Sequence, residues 1–185
     1  MSTTYLLHGG NAREVNPDND LFFQGIIQVN PDAINVLLVQ FEDNPNKQSQ
    51  YEREHITQFE RNKGERVLKY KVSTHEDFPK QLNWADIIYL GGTSMGTKKL
   101  LLALKMHPDF LDMVGGKVIA GESAGANILS SYCYSKSSGN LQCLGILPIV
   151  LVPHYQPEYR KYVENLKPGL KHLYLKNYAF VKIIN

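Results

Sequence analysis

Cysteine is scarce in this chain: Cys133 and Cys143 are the only two among 185 residues. Two thiols do not make a disulfide framework, and their spacing matches no zinc pattern. They read as free, partly buried thiols, and no metal is expected. No charge of one sign prevails either. Lys+Arg 20 against Asp+Glu 18 leaves a net charge of +2, which gives no sign of nucleic acid as a partner. Long apolar runs are missing: none approaches the roughly 18 residues of a membrane span. The opening MSTTYLLHGG lacks the basic and apolar regions of a secretory signal. A soluble, cytoplasmic chain with no membrane partner is therefore expected. There are no internal repeats, and the most linker-like stretch, 42–50, is too short to separate one domain from another, so residues 1–185 are expected to form one domain. Acid is absent from one region in particular, for no Asp or Glu follows Glu164. After residue 156, Arg160, Lys161, Lys167, Lys171, Lys176 and Lys182 face only Glu158 and Glu164, and they read as a solvated basic face.

What is present is an ordinary globular balance, 43 % hydrophobic and 21 % charged, which rules out a disordered chain. Tyr5–His8 reads as a short strand ending at Gly9-Gly10. Asn35–Phe41 and Ala85–Leu90 are near-continuous apolar runs, as expected of strands buried on both faces of a parallel sheet. Lys117–Ala120 is a further core strand, and Arg66–Val72 alternates like a strand nearer an edge. Between them lie a helix over 48–62 with Tyr51, His55, Ile56 and Phe59 on one stripe, and a second over Thr97–Met106. A third helix is expected over Ala124–Tyr134 and a short one over Pro157–Leu166. Ile146–Val152 is interrupted by Pro148, which argues for an edge or irregular strand. One or two strands are expected over Leu173–Ile184. This alternation implies βαβ units: an α/β fold, a three-layer α/β/α sandwich with a flavodoxin-like, mostly parallel sheet.

The strongest chemical signal is Gly121-Glu122-Ser123-Ala124-Gly125. It fits G-x-S-x-G, with an apolar strand before it and a helix after it, the setting of a nucleophile elbow. Such a turn crowds the backbone two residues to either side of the serine, where only small residues fit. A serine attacking an acyl group needs an oxyanion hole. The N–H of Ala124 supplies one half; Gly91-Gly92-Thr93-Ser94, directly after a strand, is the candidate for the other. Gly9-Gly10 is a weaker candidate of the same kind. The serine also needs a base. His154 ends the apolar run ILPIVLV between Pro153 and Tyr155, at a strand end where open α/β sheets gather their ligand sites. His8 also ends a strand and is held in reserve, whereas His55 sits on a helix stripe and reads as packing. No Asp or Glu lies between Ser123 and His154, which excludes the Ser…Asp/Glu…His order of the α/β-hydrolases.

The strand followed by a GG(T/G) loop, then G-x-SAGAN, then P-H-(F/Y), resembles the peptidase E (dipeptidase E) and cyanophycinase family of serine peptidases, relatives in fold of the class I glutamine amidotransferases. The likeness spans about residues 35–180. It implies Ser123 as nucleophile, His154 as base, oxyanion donors from Gly92, Thr93 and Ala124, and an aspartyl peptide bond as substrate. The chain differs from that pattern in its loop, which reads GGTSM where the family has GGGNT. It differs again where the family carries a late acid, in a stretch such as L-P-E-G. Here the stretch is Leu175-Lys176-Asn177-Tyr178, so the third member is absent, is Asn177, or is taken from Glu158 or Glu122. Glu122, beside the serine, either orients the histidine, binds a substrate amine or is salt-bridged. Lys98, Lys99 and the basic tail are expected to face the cleft and favour acidic side chains. A cofactor-free serine peptidase acting on short peptides fits most of these features. A non-catalytic ligand- or partner-binding domain that keeps the elbow as scaffold is the alternative. An amidotransferase-like domain serving a partner synthetase is a third, opposed by serine in place of a thiolate. A homodimer is left open.

Overall fold

The computed structural model describes residues 2–184. Five segments lie side by side as parallel strands: β1 (Thr4–His8), β2 (Asn35–Val39), β3 (Lys69–Val72), β4 (Ile87–Leu90) and β5 (Val118–Glu122). Their order across the sheet is β3-β2-β4-β5-β1, and β10 (Phe180–Ile184) closes the far edge antiparallel to β1. The three expected core strands, β2, β4 and β5, are interior ones. Side chains alternate between two apolar layers. Leu6, Val36, Leu38, Ile87, Tyr89 and Ala120 face one, while Leu7, Leu37, Val39, Ile88, Leu90 and Ile119 face the other. The edge strand β3 alternates exposed Lys69 and Lys71 with half-buried Tyr70 and Val72, and edge lysines discourage pairing with another sheet.

Two helices cover the first face. α1 (Pro17–Val29) is absent from the sequence-based expectation, although it carries clear start signals. Asn16 caps it by accepting the Asp18 N–H, Pro17 opens it, and Asp18 and Asp20 occupy its first turn. Its apolar stripe of Phe22, Phe23, Ile26 and Ile27 is buried. α2 (Pro45–Asn62) starts three residues before the expected 48, because Asn44 caps it and Pro45 supplies the first turn. The polar stretch 42–50 is thus mostly helix. The opposite face carries α3 (Phe78–Trp84), also absent from that expectation, α4 (Gly96–Lys105), α5 (Phe110–Met113) and α6 (Ala124–Leu129).

The same face also carries a second sheet that the sequence did not announce. It contains β6 (Ser130–Ser135), β7 (Gly139–Gln142), β8 (Leu147–Val152) and β9 (Lys171–Tyr174), in the order β7-β6-β8-β9. The helix expected to run to Tyr134 stops at Leu129, because the Ser130 hydroxyl donates to the Asn127 carbonyl and the chain goes on as strand β6. β8 is interior, not an edge. Exposed Pro148 sits where the β6–β8 register shifts, so a bulge accommodates its missing N–H. Leu147, Ile149 and Leu151 from β8 join the core beneath the main sheet. The expected helix over 157–166 is a 3₁₀ turn (Pro157–Tyr159) running into α7 (Arg160–Val163). β9 and β10 belong to different sheets, so residues 175–179 cross from one to the other at the carboxyl end of the parallel strands. Among the described residues no helix is long and apolar enough to cross a membrane.

Candidate active site

Ser123 follows β5 directly, with φ 51 and ψ −107, a conformation L-residues avoid. Strain of this kind costs about 1–3 kcal/mol and persists only where the surroundings impose it. Here they do. The Ser123 N–H donates to the His8 carbonyl at 3.0 Å, and the Ser123 carbonyl accepts from Asn127 N at 2.9 Å. The flanking glycines are sterically required. A Cβ on Gly121 would lie 2.7 Å from the Ala126 nitrogen, and one on Gly125 would lie 1.9 Å from the Leu90 carbonyl oxygen. The small-residue spacing in the sequence is therefore the spacing at which α6 packs onto the ends of β4 and β5.

His154 stands two residues beyond β8, also at positive φ (49). Its N–H donates to the Gly9 carbonyl at 2.7 Å. Its Nε2 lies 2.9 Å from Ser123 Oγ, and its Nδ1 lies 2.6 Å from Asn177 Oδ1. An amide oxygen only accepts, so Nδ1 carries the proton and Nε2 is free to accept from the serine hydroxyl. Of the three residues weighed as orienting groups, Asn177 is the one that meets the ring. Glu158 is exposed in the 3₁₀ turn, and Glu122 points away to a different set of partners.

Gly9-Gly10, weighed as an oxyanion loop, forms the seat of the histidine instead. A Cβ on Gly10 (φ 129) would lie 2.0 Å from His154 Cε1, and one on Gly9 would lie 2.1 Å from the Lys176 carbonyl oxygen. Gly9 N donates to Ala179 O at 2.8 Å and Gly10 O accepts from Tyr178 N at 3.1 Å. One turn thus holds both the His154 and the Asn177 segments. The signal in the sequence is the doubled glycine after β1, which marks a close approach but not what approaches. His8, the reserve base, is buried: its Nδ1 accepts from Gly10 N at 3.1 Å, and its Nε2–H donates to Asn19 Oδ1 at 3.0 Å. Burial pushes its pKa down, against the pull of Glu122, and it faces no solvent.

A cleft of about 320 Å³ opens in front of Ser123 and His154, lined by Thr93, Thr97, Ala124, Asn127 and Lys136 among others. The N–H groups of Thr93 and Ala124 have no acceptor among the described residues, and Thr93 Oγ1 is buried without a partner. Gly92 differs from the expectation. A Cβ there would lie 3.6 Å from Ser123 Cβ, so the loop borders the serine, but the Gly92 N–H is turned to Glu122 Oε2 at 3.5 Å. The lysine of the cleft is Lys136; exposed Lys99 pairs instead with Asp43 at 3.4 Å. A larger hollow of about 540 Å³ lies at the opposite end of the sheet around Thr3, Asn30, Asp86 and Lys117, and it holds no histidine or cysteine.

Glu122 is 2 % exposed. Its Oε1 accepts from Ala12 N at 3.0 Å; its Oε2 faces His55 Nε2 and the Tyr89 hydroxyl, each at 3.3 Å. Burial pushes its pKa up, but the hydrogen bond from His55 and the positive charge of Arg13 outweigh this and hold it well below the usual carboxylate range. His55 is buried, as its stripe predicted, yet its role as a partner of Glu122 has no signal in sequence order. Among the described residues no group of three or more His, Cys, Asp or Glu side chains is placed to hold a metal ion.

Comparisons with known proteins identify the fold and the family. A protein described as a putative peptidase E from Listeria monocytogenes EGD-e shares the fold with a TM-score of 0.71 at 16 % identity, over 100 % of this chain and 96 % of that one. A peptidase from an acI-B1 Actinobacterium aligns with a TM-score of 0.67, also at 16 % identity, over 99 % of this chain and 84 % of that one. A comparison with curated protein sequences finds no match. The family model described as Peptidase family S51 matches residues 38–181, a span that runs from β2 through both GxSxG and the His154 and Asn177 segments; the chain belongs to peptidase family S51, and is a serine-type peptidase.

Proposed function

We propose that the chain hydrolyses short peptides through a centre of Ser123 and His154, with Asn177 orienting the imidazole. The observation that carries this reading is the relay Ser123 Oγ–His154 Nε2–Nδ1–Asn177 Oδ1, with distances of 2.9 and 2.6 Å. Ser123 Oγ attacks the scissile carbonyl carbon while its proton passes to Nε2. The resulting oxyanion takes hydrogen bonds from the N–H groups of Ala124 and Thr93. The imidazolium then gives its proton to the leaving amine, and a water repeats the sequence to free the acid. A neutral amide fixes the tautomer but stabilises the imidazolium less than a carboxylate does, so turnover is slow. The cleft is near the lower end of the roughly 300–1,000 Å³ of small-ligand sites, which suits short peptides. Lys136 at its rim, with the hydroxyls of Thr93 and Thr97, favours an acidic side chain on the acyl side, in keeping with an aspartyl bond.

A fluorophosphonate probe tests the centre, because it phosphonylates only an activated serine. Labelling of the wild type that is lost in Ser123→Ala, together with release of p-nitroaniline from an aspartyl anilide, is the expected result. Absence of labelling in the wild type refutes the hydrolytic reading and leaves a peptide-binding cleft.

A further inference from the structure

We propose that Glu122 is a positioning residue: one buried carboxylate that locks the loop after β4 and the loop after β1 onto β5, and so sets Thr93 and His154 relative to Ser123. The inference rests on the Ser123–His154 reading of the site and adds to it a residue that touches neither the cleft nor the histidine.

Strand alternation sends the Glu122 side chain away from α6, into the layer covered by α1 and α2. A carboxylate there must have its lone pairs answered, since an unpaired buried charge is strongly destabilising. The four donors that answer it come from three separate stretches of chain. Ala12 N–H comes from the loop after β1, Gly92 N–H from the loop after β4, Tyr89 O–H from β4, and His55 Nε2–H from α2. Two of the four are backbone amides of loops that build the site. Ala12 lies two residues beyond Gly10, on which the His154 ring rests. Gly92 immediately precedes Thr93, whose N–H faces no acceptor among the described residues. The Gly92 contact is the longest of the set at 3.5 Å, so it is the weakest of the four and the first to be lost when the acceptor changes.

The same residues explain why glutamine is a selective probe. In Glu122→Gln the amide oxygen still accepts from Ala12, but an NH₂ group faces the other donors. His55 can adjust. Gln40 Nε2 now donates to His55 Nδ1 at 3.0 Å, and Gln40 Oε1 is buried without a partner. Turning that amide over and moving the imidazole proton to Nδ1 leaves Nε2 to accept from the new amide. Tyr89 can accept as well as donate. Gly92 N–H cannot, so the substitution isolates the loop after β4.

The experiment measures fluorophosphonate labelling rate, kcat and KM for wild type and Glu122→Gln, with melting temperature and amide hydrogen exchange on the same samples. The expected result is labelling and kcat lowered at least about tenfold, the factor equivalent to one lost hydrogen bond of transition-state alignment. KM should change less than kcat, since the cleft-lining side chains keep their identity and the lost alignment is felt most in the transition state. Exchange at Gly92 should quicken. Should Glu122→Gln not fold, Glu122→Asp keeps the buried charge but draws it back by one methylene from both amides, and the same slowing is expected. Wild-type labelling in either folded variant, or a change confined to KM, overturns the proposal. If the wild type itself is not labelled, the peptidase reading fails separately, and Gly92 exchange alone decides whether Glu122 holds the loop: unchanged exchange refutes it.

Discussion

Asn177→Asp should make the centre faster. His154 Nδ1 sits 2.6 Å from Asn177 Oδ1, so a carboxylate in the same rotamer reaches the ring without rebuilding the loop. The charge centres of an imidazolium and that carboxylate would stand about 4 Å apart, where Coulomb's law gives about 4 kcal/mol at an effective dielectric of 20 and about 1 kcal/mol in bulk water. Asn177 is exposed and His154 half-buried, so the interaction is heavily screened and belongs near the lower end. About 1–2 kcal/mol of imidazolium stabilisation corresponds to roughly a 5- to 30-fold rise in the acylation rate. The measurement is the single-turnover rate of phosphonylation or of anilide cleavage at low salt, repeated at high salt, where screening should shrink the gain. Asn177→Ala is the companion, expected to slow the reaction because the ring loses the acceptor that fixes its tautomer. A rate in Asn177→Asp no higher than wild type, with the His154 ring still beside residue 177 by NMR, would refute the assignment of Asn177 to the orienting position.

Gly10→Ala should inactivate by about 100-fold, the cost of displacing a catalytic group by about 1 Å, because the new Cβ would lie 2.0 Å from His154 Cε1; phosphonylation kinetics read it. The same change should lower thermal stability, since alanine at φ 129 is strained. Ser123→Ala should abolish labelling and hydrolysis while moving stability by no more than about 1 kcal/mol, because the hydroxyl supports no packing; residual activity equal to wild type would place the chemistry elsewhere. The depressed pKa of Glu122 gives a pH dependence of stability whose sign is fixed. Its contribution is complete above the ordinary carboxylate range and is lost as pH falls through its lower folded value. Acid unfolding should therefore be steep in wild type and shallower in Glu122→Gln, and equal slopes in chemical-denaturation series would contradict the ionised state.

The parallel core is legible in the sequence because strands buried on both faces are written as continuous apolar runs, as in VLLV of β2 and IIYL of β4. Other elements are not. The pattern overextends helix α6 because Ser130–Ser135 has no breaker before it, and only its pairing with β7 and β8 decides in favour of strand. Pro148 suggests an edge or an irregular strand, and the second is what forms: a bulge lets an interior strand carry it. Helix α1 has a cap, a proline and an apolar stripe, so its signals stand in the sequence in full. At the site, the meeting of Ser123 and His154 is legible from motif and strand-end position. The direction of the Glu122 side chain is not, because it depends on which face of β5 looks toward α2. That follows from strand order, and strand order is a long-range property.

The backbone, not the charge pattern, accounts for a centre without a carboxylate at its end. His154 is fixed by its N–H on Gly9 O, by its ring against the bare Cα of Gly10, and by two hydrogen bonds of Leu175 around it: Leu175 N donates to Val152 O and Tyr155 N to Leu175 O, both at 3.0 Å. The 175–179 segment is held at its other end by Tyr178 N on Gly10 O and by Gly9 N on Ala179 O. Those bonds exist whatever residue stands at 177. An imidazole already aimed at Ser123 needs from its third partner only a tautomer, and an amide oxygen supplies that. The carboxylate of the neighbourhood, Glu122, lies on the far side of β5, where two site-building loops offer it N–H groups. In the proposed centre the relay is neutral at its outer end, which is why replacing Asn177 by an acid should add rate without first having to restore geometry.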